Sequence, residues 1–104
     1  MHYDAIVVGG GMVGAAAALG LAQQGFQVAV IEQDMPAPFD AASPPDLRIS
    51  AIGYASVALL KELGVWQRVQ QMRSAPYRRL ETWEWANARV VFDAADIHLP
   101  ELGF

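Results

Sequence analysis

The hexapeptide GGGMVG at residues 9–14 is the feature that most narrows what this chain can fold into. It follows a β-branched apolar run, Tyr3 to Val8, and precedes an alanine-rich stretch at residues 12–24 that ends at Gly25. Phe26 to Glu32 (FQVAVIE) is a second run of strand character. Strand, glycine turn, helix and strand within about 30 residues match the length of a βαβ unit. Short continuous apolar runs of this kind suit strands buried on both faces of a parallel sheet. Gly25 stands where a helix takes its left-handed closing residue.

The glycines at 9, 11 and 14 spell G-x-G-x-x-G, a weak signal alone and a strong one when a strand precedes it, a helix follows and a second strand ends in an acid. Gly9 permits the tight turn, Gly11 lets a pyrophosphate approach the backbone, and Gly14 lets the helix lie close to the strand. Met12 and Val13 open the helix, where unpaired N–H groups and the positive dipole end favour phosphate. Glu32 closes the second strand, placed to accept hydrogen bonds from the ribose hydroxyls of an adenosine and to repel a 2′-phosphate. We therefore expect Gly9, Gly11, Met12, Val13, Gly14 and Glu32 to bind a dinucleotide. The fingerprint by itself does not separate FAD from NAD.

Beyond Glu32 the pattern loosens. Residues 33–47 contain Pro36, Pro38, Pro44 and Pro45, which leaves no room for a regular element. Leu47 to Ile52 reads as a short extended piece. Tyr54 to Leu63 has helical spacing of apolar residues before Gly64, and a second short helix is expected at residues 65–72. After Pro76, residues 80–86 alternate as a strand, and residues 89–93 read as its partner across a turn near Asn87. The change of pattern sets a boundary at residues 74–78.

Just over half the residues are apolar, enough for a packed core. There is no cysteine, hence no disulfide and no thiolate nucleophile. Residues 1–47 carry five acids and no Lys or Arg, whereas residues 48–104 carry six acids and seven bases. No basic cluster interleaved with aromatics occurs, so nucleic-acid binding has little support. The uncharged stretch from Ala5 to Ala22 lacks the positive flank of a secretory signal and contains five glycines, a poor lipid-facing helix. Trp66 at a helix start reads as a core anchor, and Trp83 and Trp85 as a core or interface face of their strand. His2 and His98 have no partner at ligand or triad spacing, and no metal site is expected.

Gly14, Ala18, Leu21, Gly25, Val28, Val30 and Glu32 resemble the extended fingerprint of FAD-dependent oxidoreductases of the glutathione-reductase type. The segments PDLRISAI, ASVALLKELGVW, PYRRLETWEW and ARVVFDAADI then resemble the bacterial flavin hydroxylases of ubiquinone biosynthesis, within the para-hydroxybenzoate-hydroxylase-like class. The resemblance implies an α/β fold. A Rossmann-like FAD-binding βαβ unit would occupy residues 1–77, and the start of an antiparallel substrate-domain sheet residues 78–104. It implies FAD as cofactor, with Arg48 beside the FAD pyrophosphate or ring. It also implies NAD(P)H as co-substrate, with O2 and a prenylated quinol as the other substrates; no side chain of this chain need act as nucleophile. Relatives of this class run to roughly 400 residues, more than one domain's length. The chain is accordingly expected to be an N-terminal fragment, inactive by itself. A cytoplasmic location is expected, and the greasy substrate suggests peripheral contact with the inner membrane or with a ubiquinone-biosynthesis complex. The competing expectations are the start of another FAD oxidase or NAD-dependent oxidoreductase, and a non-catalytic nucleotide-binding remnant.

Overall fold

The computed structural model describes residues 1–104 and is α/β, with a parallel strand pair followed by an antiparallel one. Strand β1 (Ala5–Val8) leads through the glycine turn into helix α1 (Met12–Gln23), which returns to strand β2 (Val28–Ile31). The two strands pair in parallel, Ala5 opposite Val28 and Val8 opposite Ile31. Asp4 brackets their start: its N–H donates to the Gln27 carbonyl at 2.8 Å while its carboxylate accepts from the Gln27 N–H at 2.8 Å.

Helix α1 is built of alanines and leucines, which lose little side-chain entropy on becoming helical. It closes where the sequence places Gly25. The Phe26 N–H reaches the Leu21 carbonyl and the Gly25 N–H the Ala22 carbonyl, a Schellman ending with Gly25 at φ 93°. Helix α2 (Tyr54–Glu62) ends in the same way, with Val65 bonded to Leu60 and Gly64 to Lys61. The two helices touch. Gln23 Nε2 donates to the Leu63 carbonyl at 2.8 Å, and Leu63 is buried.

The short helix α3 (Trp66–Gln71) begins at Trp66, which is buried and meets the ring of Phe104 edge-on at 5.1 Å. The expected core anchor is therefore found. Residues 102–104 run back along two earlier segments. Ile52 and Phe104 exchange both backbone hydrogen bonds, at 2.7 and 2.9 Å, while Tyr77 donates to the Gly103 carbonyl and accepts from the Leu102 N–H. Of the extended piece expected at residues 47–52, only Ile52 is paired in this way; residues 47–51 form no strand.

Strands β3 (Arg79–Trp85) and β4 (Ala88–Asp93) form the expected hairpin across Ala86 and Asn87. The register slips by one residue between Trp83 and Trp85, so Glu84 is an inserted bulge residue and the simple alternation expected here is broken. The Glu81 carboxylate forms ion pairs with Arg89 Nε, 2.6 Å away across the ladder, and with Arg79 Nη2 at 3.5 Å. Asp93 then caps a 3₁₀ turn at Ala94–Ile97, accepting from the Ala95 N–H at 2.9 Å.

Two expectations fail on burial. The strands of the parallel pair are not covered on both faces: Ile6 is 61% exposed and Val8 80%. Trp83 and Trp85 are also exposed, so of the two readings of that face, core or interface, the core reading fails. Only six of 104 residues are buried. The accessible surface of 8803 Å² compares with about 5,700 Å² for a compact monomer of this mass. The radius of gyration of 17.5 Å compares with about 13 Å for a compact chain of this length. Apolar content was sufficient for a core, but a two-stranded sheet with one helix beside it has no second layer to close against. No helix is long and apolar enough to cross a membrane.

Trp66 joins α3 to the returning segment. Trp66→Ala should cost about 3–5 kcal/mol, read as a lowered urea midpoint by far-ultraviolet circular dichroism. A midpoint unchanged from the parent would show that the Trp66–Phe104 contact does not hold this end together.

Candidate functional site

The glycine turn sits at the carboxyl ends of β1 and β2, where open α/β sheets bind their ligands. The Gly9 N–H donates to the Ile31 carbonyl at 2.8 Å, extending the ladder one step past the strand. Gly9 then turns the chain with φ 99°, a conformation that a Cβ would strain. Gly14, in the first turn of α1, faces that bend. A Cβ on Gly14 would lie 1.9 Å from the Gly9 carbonyl oxygen and 3.4 Å from Val7 Cγ1. The close helix-to-strand approach assigned to Gly14 from its spacing is thus a steric necessity of this backbone.

Gly11 differs. It is the N-cap of α1 with ordinary extended backbone, and a Cβ there would meet nothing within 4 Å. No protein contact demands glycine at this position; the space before it is open. No side chain caps α1 and no acid stands in its first turn, so the leading N–H groups at Met12, Val13 and Gly14 are without side-chain partners. Met12 and Val13 are themselves exposed, at 68% and 84%.

Glu32 reaches into this turn. Its Oε2 accepts from the Gly10 N–H at 2.5 Å and its Oε1 from the Asp34 N–H at 3.2 Å. These N–H groups, that of Gly10 foremost, hold the Glu32 carboxyl below the ordinary carboxylate range. Gly10 is the site residue that the G-x-G-x-x-G spacing passes over. A Cβ on it would press on Glu32 at 3.1–3.4 Å, and its place as the middle glycine of the GGG run was the only signal available for it.

The structure therefore brings Gly9, Gly10, Gly11, Gly14 and Glu32 together, with Met12 and Val13 on the rim. Arg48 stands apart. It lies in the exposed segment between β2 and α2, between the exposed Leu47 and Ile49, and makes no hydrogen bond or ion pair. A cavity of about 540 Å³ opens just beyond it, with Ile49, Ile52, Val69 and Tyr77 among its walls and Arg73 and Arg79 at its polar side. That cavity includes no residue of the glycine turn. No group of three His, Asp or Glu side chains is placed to hold a metal ion.

The turn fits the ADP portion of a dinucleotide on three counts. Open space lies before Gly11, N–H donors at the start of α1 face it, and the Glu32 carboxylate retains acceptor capacity. A carboxylate offers about four lone-pair sites. The bonds from Gly10 and Asp34 occupy part of that capacity and leave acceptor room on the exposed carboxylate for a ligand hydroxyl.

Comparison with known proteins agrees with this geometry. Residues 4–44 match the family model described as FAD dependent oxidoreductase. The chain is 69% identical over 98 residues, 94% of its length, to 3-demethoxyubiquinol 3-hydroxylase of Escherichia coli (strain K12). It is 36% identical over 88% of its length to the mitochondrial ubiquinone biosynthesis monooxygenase COQ6 of Xenopus tropicalis. A third relative, ubiquinone hydroxylase UbiL of Rhodospirillum rubrum, is 43% identical over 61% of the chain. The chain spans 25%, 21% and 14% of these three proteins respectively. The resemblance to flavin hydroxylases of ubiquinone biosynthesis, with FAD as the cofactor, is thereby borne out.

Two outcomes follow from the turn. Gly14→Ala should cost at least about 1–3 kcal/mol by overpacking, seen as a lowered denaturation midpoint. The Glu32 contact has a pH signature. Its folded pKa lies below the unfolded one, so its stabilisation is whole above the unfolded value and lost as pH falls through the folded value. Carboxyl-detected NMR should place the Glu32 midpoint below that of an unstructured peptide, with the Gly10 amide shift following it. A Gly10 amide indifferent to that titration would refute the contact.

Proposed function

We propose that this chain forms the ADP-holding half-site of an FAD-dependent monooxygenase that hydroxylates a prenylated benzoquinol in ubiquinone biosynthesis, using NAD(P)H and O2. The observation that carries the proposal is the open, donor-lined glycine turn with Glu32 aimed into it. It lies in a chain 69% identical to a demethoxyubiquinol hydroxylase over nearly its full length. The βαβ unit is then a Rossmann-like FAD-binding unit of the glutathione-reductase type within residues 1–77, and the hairpin is the start of a substrate-domain sheet within residues 78–104.

In this reading the backbone of Gly9, Gly11, Met12, Val13 and Gly14 takes the pyrophosphate, helped by the dipole of α1. Glu32 takes the two hydroxyls of the adenosine ribose through its remaining lone pairs. Its contact with Gly10 keeps the carboxylate ionised and oriented before the nucleotide arrives. Arg48 contributes a cation to the pyrophosphate or to the ring system. FAD, when bound, supplies the redox chemistry: hydride acceptance from the nicotinamide and activation of dioxygen. No residue of this chain is assigned a proton-transfer role. A prenylated substrate is greasy, and this supports a cytoplasmic protein working peripherally at the inner membrane or within a ubiquinone-biosynthesis complex.

Titration with FAD, ADP and NAD, followed by tryptophan and flavin fluorescence, tests the proposal. FAD should bind in preference to NAD, with ADP competing for the same site. Glu32→Ala should weaken FAD by about tenfold or more, the worth of a charge-assisted hydrogen bond. A clear preference for NAD would overturn the FAD reading.

A further inference from the structure

Arg73 stands just past the Met72 end-cap of α3, and the hydrogen bonds of its side chain go to a distant segment. Its Nη2 donates to the Ala41 carbonyl at 2.9 Å and to the Ser43 carbonyl, while the guanidinium lies 5.7 Å from the centre of the Phe39 ring. All three contacts fall within residues 39–43, in the stretch between β2 and α2 that contains neither helix nor strand. This short piece is also folded on itself. Asp40 accepts from the Ala42 N–H at 2.9 Å through its side chain and from the Ser43 hydroxyl at 2.7 Å through its carbonyl.

The stretch matters because of what it connects. It begins after Glu32 and ends at Arg48, two residues of the proposed cofactor site. Every residue from Gln33 to Arg48 is exposed, so burial does not fix its path. An unanchored stretch of that length samples many conformations, and a ligand that needs one of them must bear the ordering entropy. One anchor near the middle divides the stretch into two shorter arms. A guanidinium suits that task, because Nη2 alone offers N–H groups to both carbonyls while the planar, weakly hydrated cation lies near the Phe39 ring; an ammonium is a strongly hydrated point charge with no such plane.

We infer that Arg73 is a positioning residue: by holding the carbonyls of Ala41 and Ser43 and the ring of Phe39, it sets where Arg48 stands relative to the glycine turn. The inference rests on the reading of Arg48 as an FAD contact. Arg73 itself touches no cofactor; it acts through the segment it holds.

The test uses the full chain as its gene encodes it, with Arg73→Met, Arg73→Lys, Arg48→Met and the double variant Arg48→Met/Arg73→Met. Arg73 is exposed, so the helix content by circular dichroism should stay at the parental level. Without ligand, tryptic cleavage after Arg48 should quicken about tenfold in Arg73→Met, in line with the loss of charged hydrogen bonds. Arg73→Lys should restore little of the protection. FAD affinity should fall about tenfold in Arg73→Met, while the double variant binds FAD no more weakly than Arg48→Met alone. Additive losses in the double variant would overturn the inference, as would a cleavage rate unchanged by Arg73→Met. Should the parent chain bind no FAD, the cofactor reading fails on its own account, and the cleavage rates still decide whether Arg73 fixes the segment.

Discussion

The close approach of Gly14 to the Gly9 carbonyl is the constraint on which the rest of the βαβ unit depends. It sets α1 against the end of β1, and the angle so imposed returns the chain to pair with β1 in parallel. That pairing brings Ile31 to Gly9 and so delivers Glu32 to Gly10. A side chain of even one carbon at position 14 would push the helix off the strand. The uncapped amino end of α1 would then no longer lie beside the Glu32 carboxylate. Helix packing and the placement of Glu32 are here consequences of one missing methyl group.

The remainder is tied by different means. The α2–α3 pair rests on Trp66, Val57 and Leu63, with Phe104 laid edge-on to the indole. Backbone pairing of residues 102–104 with Ile52 and Tyr77 does the joining that a larger core would otherwise do. The link to the βαβ unit is the Gln23–Leu63 hydrogen bond and the helix contact around it. Exposed apolar residues on β1, β2 and the hairpin leave much of the hydrophobic driving force unrealised within these residues.

Local signals in the sequence carried the elements and most of the site. Gly25 and Gly64 stop their helices because left-handed endings are chemically specific, and the turn at Ala86 and Asn87 was legible as the break between two β-rich runs. The roles of Gly9 and Gly14 were legible because the motif encodes backbone sterics. Gly10 was not, since its task is to bond a residue twenty-two positions away, which no local spacing reports. The bulge at Glu84 and the pairing of Ile52 with Phe104 were hidden for the same reason. Burial was misjudged at Ile6, Val8, Trp83 and Trp85. Apolar character states what a residue prefers, not whether a second layer is present to satisfy it.

The return of residues 102–104 onto Ile52 and Tyr77 also orders events in time. The βαβ unit needs only contacts spanning about 30 residues, whose loop-closure cost is modest. The α2–α3 end cannot complete its pairing until Phe104 is available to Ile52, some fifty residues later in the chain. During synthesis on a ribosome the βαβ unit can therefore take shape first, while Trp66 waits without its aromatic partner. The chain's two ends differ in maturity at birth, and the glycine turn belongs to the elder.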